Sequence, residues 1–336
     1  MAREILIAGG PSCGKTLVAL AVAARAREKN KKAAFFKPVG ERGSLADNSA
    51  PPVDDDAILM RSHLGMDVDL TVINPIVRTR SSHDEFLKIG TEDLLRKIRE
   101  SHDLLLKDAD YLVIEGGSTP WDLLHVNLAS PHIAREFGAS VVLVVEFDDF
   151  DDLDEVLMLQ QFFASNGVDD LYVVLSRVSP MLEESVERHI GPLLEERGLK
   201  YLGAIPQQKA LFAPSIRDIL EALDGEMILG AEELDVPVAE FMVGSMAPEN
   251  ALRWFRRAKD KAVITSGDRA DVCLAALETD TTLLILTGSL GPDVRTLARA
   301  RETGTAIMVT DKDTFTTSQI VDRLVGSIHP EDQKKI

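Results

Sequence analysis

A glycine-rich loop near the start of the chain constrains the fold more than any other feature. Gly9 to Thr16 reads Gly-Gly-Pro-Ser-Cys-Gly-Lys-Thr and fills every defined position of the pattern G-x-x-x-x-G-K-S/T. It follows the apolar run Glu4 to Ala8 and precedes the alanine-rich stretch Leu17 to Ala24, which indicates strand, loop and helix. Small residues let backbone N–H groups point at phosphate oxygens, and a helix N-terminus adds positive charge. The pattern predicts a nucleotide site, with Lys15 on the β- and γ-phosphates and the Thr16 hydroxyl on Mg²⁺. An ordinary glycine turn capping a helix is the alternative.

Composition limits the class of protein. The 336 residues allow one large domain or two ordinary ones. Hydrophobic residues make up 45% of the chain, which is enough for a core, and because only 5% are aromatic, that core is expected to be aliphatic. A net charge of −18 argues against nucleic acid or an anionic membrane as partner. Cys13 and Cys273 lie far apart, so we expect no disulfide and a reducing compartment. No signal peptide and no run of membrane-spanning length is evident, so we expect a cytoplasmic protein.

Apolar runs alternate with stretches of helical length. The runs are continuous and rich in valine, leucine and isoleucine, which is typical of parallel strands buried on both faces. The alternation predicts an α/β fold, a doubly wound parallel sheet. After the first strand, the expected strands are Ala33 to Phe36, Tyr111 to Glu115, Ser140 to Phe147, Leu171 to Val178 and Tyr201 to Pro206. The stretch from Ser81 to Lys107 is predicted to form one long helix.

A shift in composition predicts a second domain. Residues 1–224 form the predicted first domain, residues 225–237 an acidic, glycine-containing linker, and residues 238–330 a smaller α/β domain in which the alternation restarts. Two glycine turns in this part, Thr265 to Arg269 and Thr287 to Pro292, each follow a strand and open a helix. They could bind anions, or simply join a strand to a helix.

Charged residues at strand ends are the candidate companions of the loop. Lys37 ends the second strand, where parallel sheets place ligands, although it could instead reach solvent. Asp54 to Asp56 precede a helix and could cap it, or one of them could bind metal. Glu115 ends a strand before Gly116 and Gly117, and could hold Mg²⁺ directly or through water, or merely precede a glycine turn. Residues 41–53 are predicted to be a mobile loop.

The order of these segments resembles a known family. Five segments occur in the same order and at similar spacing in the dethiobiotin synthetase family: Gly9 to Thr16, Phe36 to Val39, Val113 to Gly117, Val173 to Val178 and Gly203 to Pro206. From residue 3 to 325 the chain is similar to the N-terminal region of long phosphotransacetylases, in which a dethiobiotin-synthetase-like P-loop domain precedes a DRTGG domain. Gly267 to Asp271 and Leu286 to Ser289 carry the resemblance to the DRTGG domain.

The resemblance implies ATP and Mg²⁺ as cofactors. It implies that Lys15 and Lys37 are catalytic, with Lys37 on a substrate carbamate, and that Thr16, Asp56 and Glu115 hold the metal. The implied nucleotide contacts are Gly10, Ser12, Cys13, Gly14, Lys15, Thr16, Ser176 and Pro206. Ser176 stands where the family has an asparagine that reads adenine.

Two functions from different classes follow. The first is a regulatory or sensor module that binds a nucleotide, has weak or conditional ATPase activity, and passes a signal to a partner protein or across a homo-oligomer, which is expected by analogy. An unknown small molecule is the other expected partner. The second is an ATP-dependent ligase or cyclase acting on a carboxylate or carbamate, in which Lys15 and Lys37 stabilise the transferred phosphoryl group. A partitioning-type ATPase is a third possibility. Those proteins carry an extra lysine early in the loop, where this chain has Gly10, so we set this possibility aside. Since the chain ends soon after the DRTGG-like segment, acetyl transfer is not expected.

Overall fold

The chain forms two compact units, one ending at Gln207 and the other beginning at Gln208. The computed structural model describes residues 2–41, 53–79, 82–208, 213–324 and 326. Each unit carries its own sheet and is described by itself.

The first unit alternates strands and helices as the apolar runs predict. Its strands are β1 (Arg3–Gly9), β2 (Ala33–Phe36), β3 (Val39–Glu41), β4 (Ile76–Arg78), β5 (Tyr111–Glu115), β6 (Ser140–Glu146), β7 (Leu171–Val178) and β8 (Lys200–Pro206). Its helices are α1 (Lys15–Glu28), α2 (Asp55–Leu64), α3 (Leu70–Ile73), α4 (Ser82–Ile89), α5 (Thr91–Leu106), α6 (Ser130–Phe137), α7 (Asp152–Ser165), α8 (Glu183–Ser185) and α9 (Gly191–Glu196), with a 3₁₀ turn at Leu124–Val126 and a π-helical turn at Val186–Ile190.

The main sheet of this unit is parallel, and β1 lies inside it. The strand order is β2-β5-β1-β6-β7-β8, while β3 and β4 form a separate parallel pair. Consecutive residues of β1 and β5, such as Leu6 with Ile7 and Val113 with Ile114, are fully buried, as expected for a sheet covered on both faces. The strand order changes direction at β1, so the carboxyl ends of β1, β2 and β5 meet at one edge, where α/β sheets bind ligands.

The second unit is a smaller α/β layer structure. Its elements are α10 (Ile216–Ala222), β9 (Glu226–Leu229), β10 (Glu240–Val243), α11 (Pro248–Phe255), β11 (Lys261–Ser266), α12 (Ala270–Leu277), β12 (Thr281–Thr287), α13 (Val294–Thr303), β13 (Ala306–Val309) and α14 (Thr314–Asp322). The sheet order is β10-β11-β12-β13-β9, and only β9 runs antiparallel to its neighbour. Alternate strand residues supply two separate cores, with Ile264 and Leu283 in one and Val263 and Leu284 in the other.

The predicted domain boundary differs from the structure. Residues 216–222, predicted within the first domain, form α10, and Ile216, Ile219 and Leu223 pack into the second unit's core. Residues 226–229, predicted as linker, form an edge strand of its sheet. The acidic and glycine-containing composition hid a short strand, because β9 buries only part of its surface.

The other predictions about the chain have different outcomes. The predicted single helix over 81–107 is two helices, α4 and α5, separated by Gly90 at a φ of 84°. Residues 42–52 of the predicted mobile loop lie outside the described residues. The glycine turns of the second unit join β11 to α12 and β12 to α13, and anion binding there stays a prediction. Within the described parts of the chain, no helix has the length and apolar character needed to span a membrane.

Candidate functional site

The loop between β1 and α1 presents the uncapped start of a helix. Ser12 and Gly14 adopt left-handed backbone angles, with φ of 53° and 95°. Gly14 precedes α1, and no described side chain caps its first turn. Because the first N–H groups of a helix lack partners within it and carry the positive end of its dipole, this geometry suits a phosphate.

Lys15 lies folded over the loop and is buried. Its ammonium group donates to the carbonyl oxygens of Gly10 at 2.5 Å, Ser118 at 3.1 Å and Gly9 at 3.3 Å. These acceptors are neutral, and a phosphate oxygen accepts a stronger, charge-assisted hydrogen bond. The side chain can therefore exchange backbone carbonyls for a phosphate.

A cluster of one lysine, one hydroxyl and three carboxylates lies beside the loop. The Thr16 hydroxyl lies 3.0 Å from Asp56 Oδ1 and 3.3 Å from Glu115 Oε1. Lys37 Nζ lies 3.0 Å from Glu115 Oε1 and 3.1 Å from Asp54 Oδ1, and also pairs with Asp56 Oδ2. The Lys37 side chain is 7% exposed and that of Glu115 is 1% exposed. The structure thus brings together the four predicted residues Thr16, Lys37, Asp56 and Glu115, and it adds Asp54.

Charge balance in this cluster explains its pKa values. Burial lowers the pKa of Lys37, but the three surrounding carboxylates outweigh it and raise that pKa well above its usual value. One ammonium group cannot balance three carboxylates, so burial raises the pKa of Glu115 to about 8 and that of Asp54 to about 6. Burial acts the same way on Asp56, yet Lys37 and the hydrogen bonds from Lys37 and Thr16 lower its pKa to about 2.

The aspartate run was predicted either to cap the helix or to bind metal; the structure shows the cap at Asp54, and metal binding by Asp56 stays a prediction. Asp54 precedes α2 and its carboxylate accepts from the Asp56 N–H at 3.0 Å, so it caps the helix. The same carboxylate accepts from the Glu41 N–H at 2.7 Å. Asp56, one turn into the helix, faces Thr16. Lys37 does not reach solvent, because the carboxylates hold it.

Ser176 does not stand where a base could be read. Its side chain is buried, and its hydroxyl lies 2.6 Å from the Cys13 carbonyl and 3.3 Å from that of Val145. A hydroxyl has one proton to donate, and the loop carbonyl takes it, so this residue supports the loop from within the sheet. The resemblance implied that Ser176 contacts the nucleotide, and the burial of its side chain contradicts that prediction. Pro206 is exposed at the carboxyl end of β8.

The cysteines are both buried free thiols. Burial raises the pKa of the Cys13 thiol, despite the nearby Lys15 ammonium group. Cys13 therefore contributes its backbone to the loop rather than a reactive thiolate.

The residues fit a magnesium ion. Glu115 Oε2 is buried and has no hydrogen-bond partner among the described residues, while Oε1 of the same carboxylate faces Thr16. Within the described part of the chain, no three histidine, cysteine or acidic side chains form a metal cage on their own. Mg²⁺ bound with a nucleotide needs only one or two carboxylates, because phosphate oxygens and water complete its octahedron. Thr16, Asp56 and Glu115 would supply its protein contacts.

An ion-pair network next to this cluster was not predicted from the sequence. Arg78 pairs with Glu41 and lies 3.1 Å from Asp122 Oδ1, and Asp122 also accepts from the Thr119 N–H and hydroxyl. Arg78 ends β4 as Glu41 ends β3. The pairing of β3 with β4 brings Arg78 next to Glu41. Strands of three residues are too short to show an alternating pattern in the sequence, so this contact could not be predicted.

Comparisons with known proteins agree with this architecture. Residues 3–215 match the family described as AAA domain, and residues 218–324 match the family described as DRTGG domain. A phosphate acetyltransferase from Nitratidesulfovibrio vulgaris is 23% identical over 356 residues, covering 96% of this chain and 47% of the relative. A cobyric acid synthase from Thermodesulfovibrio yellowstonii is 26% identical over 169 residues, covering 44% of this chain and 34% of the relative.

One of the similar solved structures also contains a DRTGG domain. The CBS and DRTGG domains of the regulatory region of a Clostridium perfringens pyrophosphatase are 27% identical, cover 33% of this chain and 47% of that chain, and give a TM-score of 0.29. The chain spans about half the length of the phosphate acetyltransferases it matches, and the predicted resemblance to their N-terminal region is confirmed. Because the AAA domain match covers more than half of the chain, the protein belongs to that family and carries a DRTGG domain after it.

Proposed function

We propose that the first unit binds ATP with Mg²⁺ and that the protein is a regulatory or sensor module with weak or conditional ATPase activity. One observation carries this proposal: the Thr16 hydroxyl, Asp56, Glu115 and Lys37 converge at the mouth of a loop shaped for phosphate. Thr16, Asp56 and Glu115 would contact the metal, and Lys15 and Lys37 would place two cations beside it, which is what a nucleoside triphosphate with its metal requires.

The contacts of the two lysines favour a sensor. Lys15 is held by backbone carbonyls and Lys37 by carboxylates of the protein itself. A bound nucleotide therefore has to change contacts that already exist, and such a change is what a sensor transmits. Asp56 pairs with Lys37, which lowers its pKa and weakens it as a base for activating a water molecule. Slow or conditional hydrolysis follows.

The second candidate is an ATP-dependent ligase or cyclase. The similarity to cobyric acid synthases favours it, since these are synthases that match 44% of this chain. The γ-phosphoryl group of ATP would pass to an oxygen of a carboxylate or carbamate and release ADP. A nucleophile, such as an amine, would then displace phosphate.

Binding is tested first. Isothermal titration of the protein with Mg²⁺ and a non-hydrolysable ATP analogue should show one site. Lys15→Ala removes a charge-assisted hydrogen bond worth about 1.5–3 kcal/mol, so affinity should fall about 10- to 150-fold. Lys29→Ala, at the exposed far end of α1, is the matched control and should bind as the wild type does. Equal affinity of Lys15→Ala and wild type would refute the site assignment.

Turnover decides between the two candidates. ADP release is followed with Mg²⁺ and ATP, with and without candidate diamines and carboxylates. The sensor proposal expects tight binding, slow release and no stimulation by these compounds. A compound that accelerates ADP release strongly would establish the ligase instead. Homo-oligomer formation and the partner stay proposals, which light scattering in both nucleotide states can test.

A further inference from the structure

The Lys37 ammonium group occupies the centre of the carboxylate cluster. It contacts one oxygen each of Asp54, Asp56 and Glu115, and its side chain is only 7% exposed. The Glu115 oxygen that it contacts, Oε1, is the one that the Thr16 hydroxyl also faces. Lys37 and Thr16 therefore use the same carboxylate atom.

The oxygens around that point have the spacing of metal ligands. Ligands 2.0–2.1 Å from an octahedral Mg²⁺ lie about 3 Å from one another. Thr16 Oγ1 lies 3.0 Å from Asp56 Oδ1 and 3.3 Å from Glu115 Oε1, close to two edges of such an octahedron. A metal bound by these oxygens would lie against the Lys37 ammonium group, and two cations at that range repel each other strongly in a buried site.

We propose that Lys37 is a tethered counter-cation of the magnesium site, which neutralises the carboxylates until Mg²⁺ displaces it and drives its ammonium group toward the bound phosphates. This inference rests on the magnesium part of the proposed function. It makes metal and nucleotide binding interdependent: Mg²⁺ alone binds weakly because Lys37 competes with it, whereas a nucleotide gives the displaced ammonium group an anion to contact.

The test measures Mn²⁺ binding without nucleotide, by electron paramagnetic resonance. Lys37→Met should bind Mn²⁺ at least tenfold more tightly than the wild type, because the competing cation is gone. Lys15→Met removes a neighbouring cation whose hydrogen bonds, within the described residues, go to backbone carbonyls and not to the carboxylates. The Mn²⁺ affinity of this variant should therefore differ from that of the wild type by less than threefold. A Lys37→Met protein that binds Mn²⁺ no more tightly than wild type would overturn the inference.

A second measurement uses the wild type, in case Lys37→Met fails to fold. Lysines are labelled with an amine reagent with and without saturating Mn²⁺, and the peptides are quantified by mass spectrometry. Lys37 labelling should rise severalfold with the metal, and Lys15 labelling should not change. Unchanged Lys37 labelling at saturating Mn²⁺ would show that the lysine stays on the carboxylates, against the inference.

The two proposals fail differently. If the wild type binds Mg²⁺ and ATP but Lys37→Met gains no Mn²⁺ affinity, only the counter-cation role is lost. If Lys37→Met gains Mn²⁺ affinity while the wild type binds no nucleotide, the counter-cation role stands and the nucleotide function is refuted.

Discussion

Gly9 ends β1 at a position with no room for a side chain. It lies opposite Val144 in the register of β1 and β6. A Cβ atom there would lie 2.1 Å from the Val144 carbonyl oxygen and 2.7 Å from Cys13 Sγ. The requirement for glycine at this position is therefore steric, and it fixes where the loop leaves the sheet.

Gly9→Ala should destabilise the protein by about 1–3 kcal/mol, since backbone and a buried thiol must both shift. Gly10→Ala is the control, because its nearest neighbour would be Glu155 Oε1 at an ordinary 3.7 Å, and its effect on stability should stay within about 0.5 kcal/mol. Urea unfolding of both variants provides the measurement. Equal stability of the two would contradict the steric account.

For single residues, the sequence predicted which side chains lie at the same edge of the sheet better than it predicted which hydrogen bonds they make. The strand-end rule placed Lys37 and Glu115 at one edge of the sheet, and the structure has them 3.0 Å apart. Which of Asp54 and Asp56 caps α2 depends on where the helix begins, which composition does not fix. The burial of Ser176 depends on the pairing of β7 with β6 and on the loop lying against both, which are contacts distant in sequence.

Among the helices and strands, α2 shares a residue with the candidate site, because the aspartate that caps the helix also belongs to the carboxylate cluster. Asp54 caps the helix and at the same time contacts Lys37 and the end of β3. The capping carboxylate thus positions the first turn that carries Asp56. The helix start and the cluster are one hydrogen-bonded arrangement.

Asp54→Ala should cost about 1–2 kcal/mol more than Asp54→Asn, because asparagine keeps an oxygen that can cap the helix. Both variants lose the charge that pairs with Lys37, so their difference reports the hydrogen bonds that an oxygen at this position accepts from the N–H groups of Asp56 and Glu41. The free energies come from urea unfolding at one pH. Indistinguishable values would mean that the cap contributes little and that the charge decides.

Helix α5 is attached to β1 by a histidine. His102 Nε2 lies 2.8 Å from Glu4 Oε2, Nδ1 lies 3.1 Å from Asp103 Oδ1, and the ring stacks on Phe137 with centroids 3.9 Å apart. Burial lowers the pKa of His102, but the hydrogen bonds to Glu4 and Asp103 outweigh it, so the pKa is raised. The folded protein therefore holds this proton more tightly than the unfolded chain.

The sign of the pH effect follows. A raised folded pKa adds stability that is complete below the unfolded value near 6.5 and is lost as the pH rises through the folded pKa. The stability advantage of wild type over His102→Gln should shrink from pH 6 to pH 8.5, with a slope of at most about 1.4 kcal/mol per pH unit. His63→Gln is the control, since burial and Arg27 lower the pKa of His63 and the slope should have the opposite sign. A pH-independent difference for His102→Gln would refute this linkage.

Periodicity predicted the long helices well but missed the break between α4 and α5. Apolar residues keep helical spacing on both sides of Gly90, so the pattern reads as continuous. Gly90 has a positive φ, which a right-handed helix does not contain, so the helix is interrupted there. The spacing of the apolar residues does not reveal this backbone angle.

For the whole molecule, the division of the chain decides which pieces can stand alone. Ile216, Ile219 and Leu223 of the α10 segment are fully buried in the second unit's core. Burying side chains of this kind stabilises by about 1.5–3 kcal/mol each, or about 5–9 kcal/mol together. That sum is comparable to the entire stability of a small domain, about 5–15 kcal/mol.

A fragment of residues 208–336 should therefore fold, whereas residues 238–336, the span predicted as a domain from the sequence, should not. The shorter fragment lacks both α10 and β9. Circular dichroism and cooperative thermal unfolding distinguish the outcomes. A fragment beginning at 238 that unfolds cooperatively would restore the predicted boundary.

The antiparallel strand β9 has a consequence for the order of events during synthesis. It belongs to the first segment of the second unit to leave the ribosome, yet it pairs with β13, the last strand, where Leu229 lies opposite Ile307. Translation adds about 5–20 residues per second, so β9 waits several seconds for its partner. The first unit can complete its sheet earlier, since its last strand, β8, is made before α10. The nascent protein should thus acquire its phosphate-binding loop while its second unit is still unfolded.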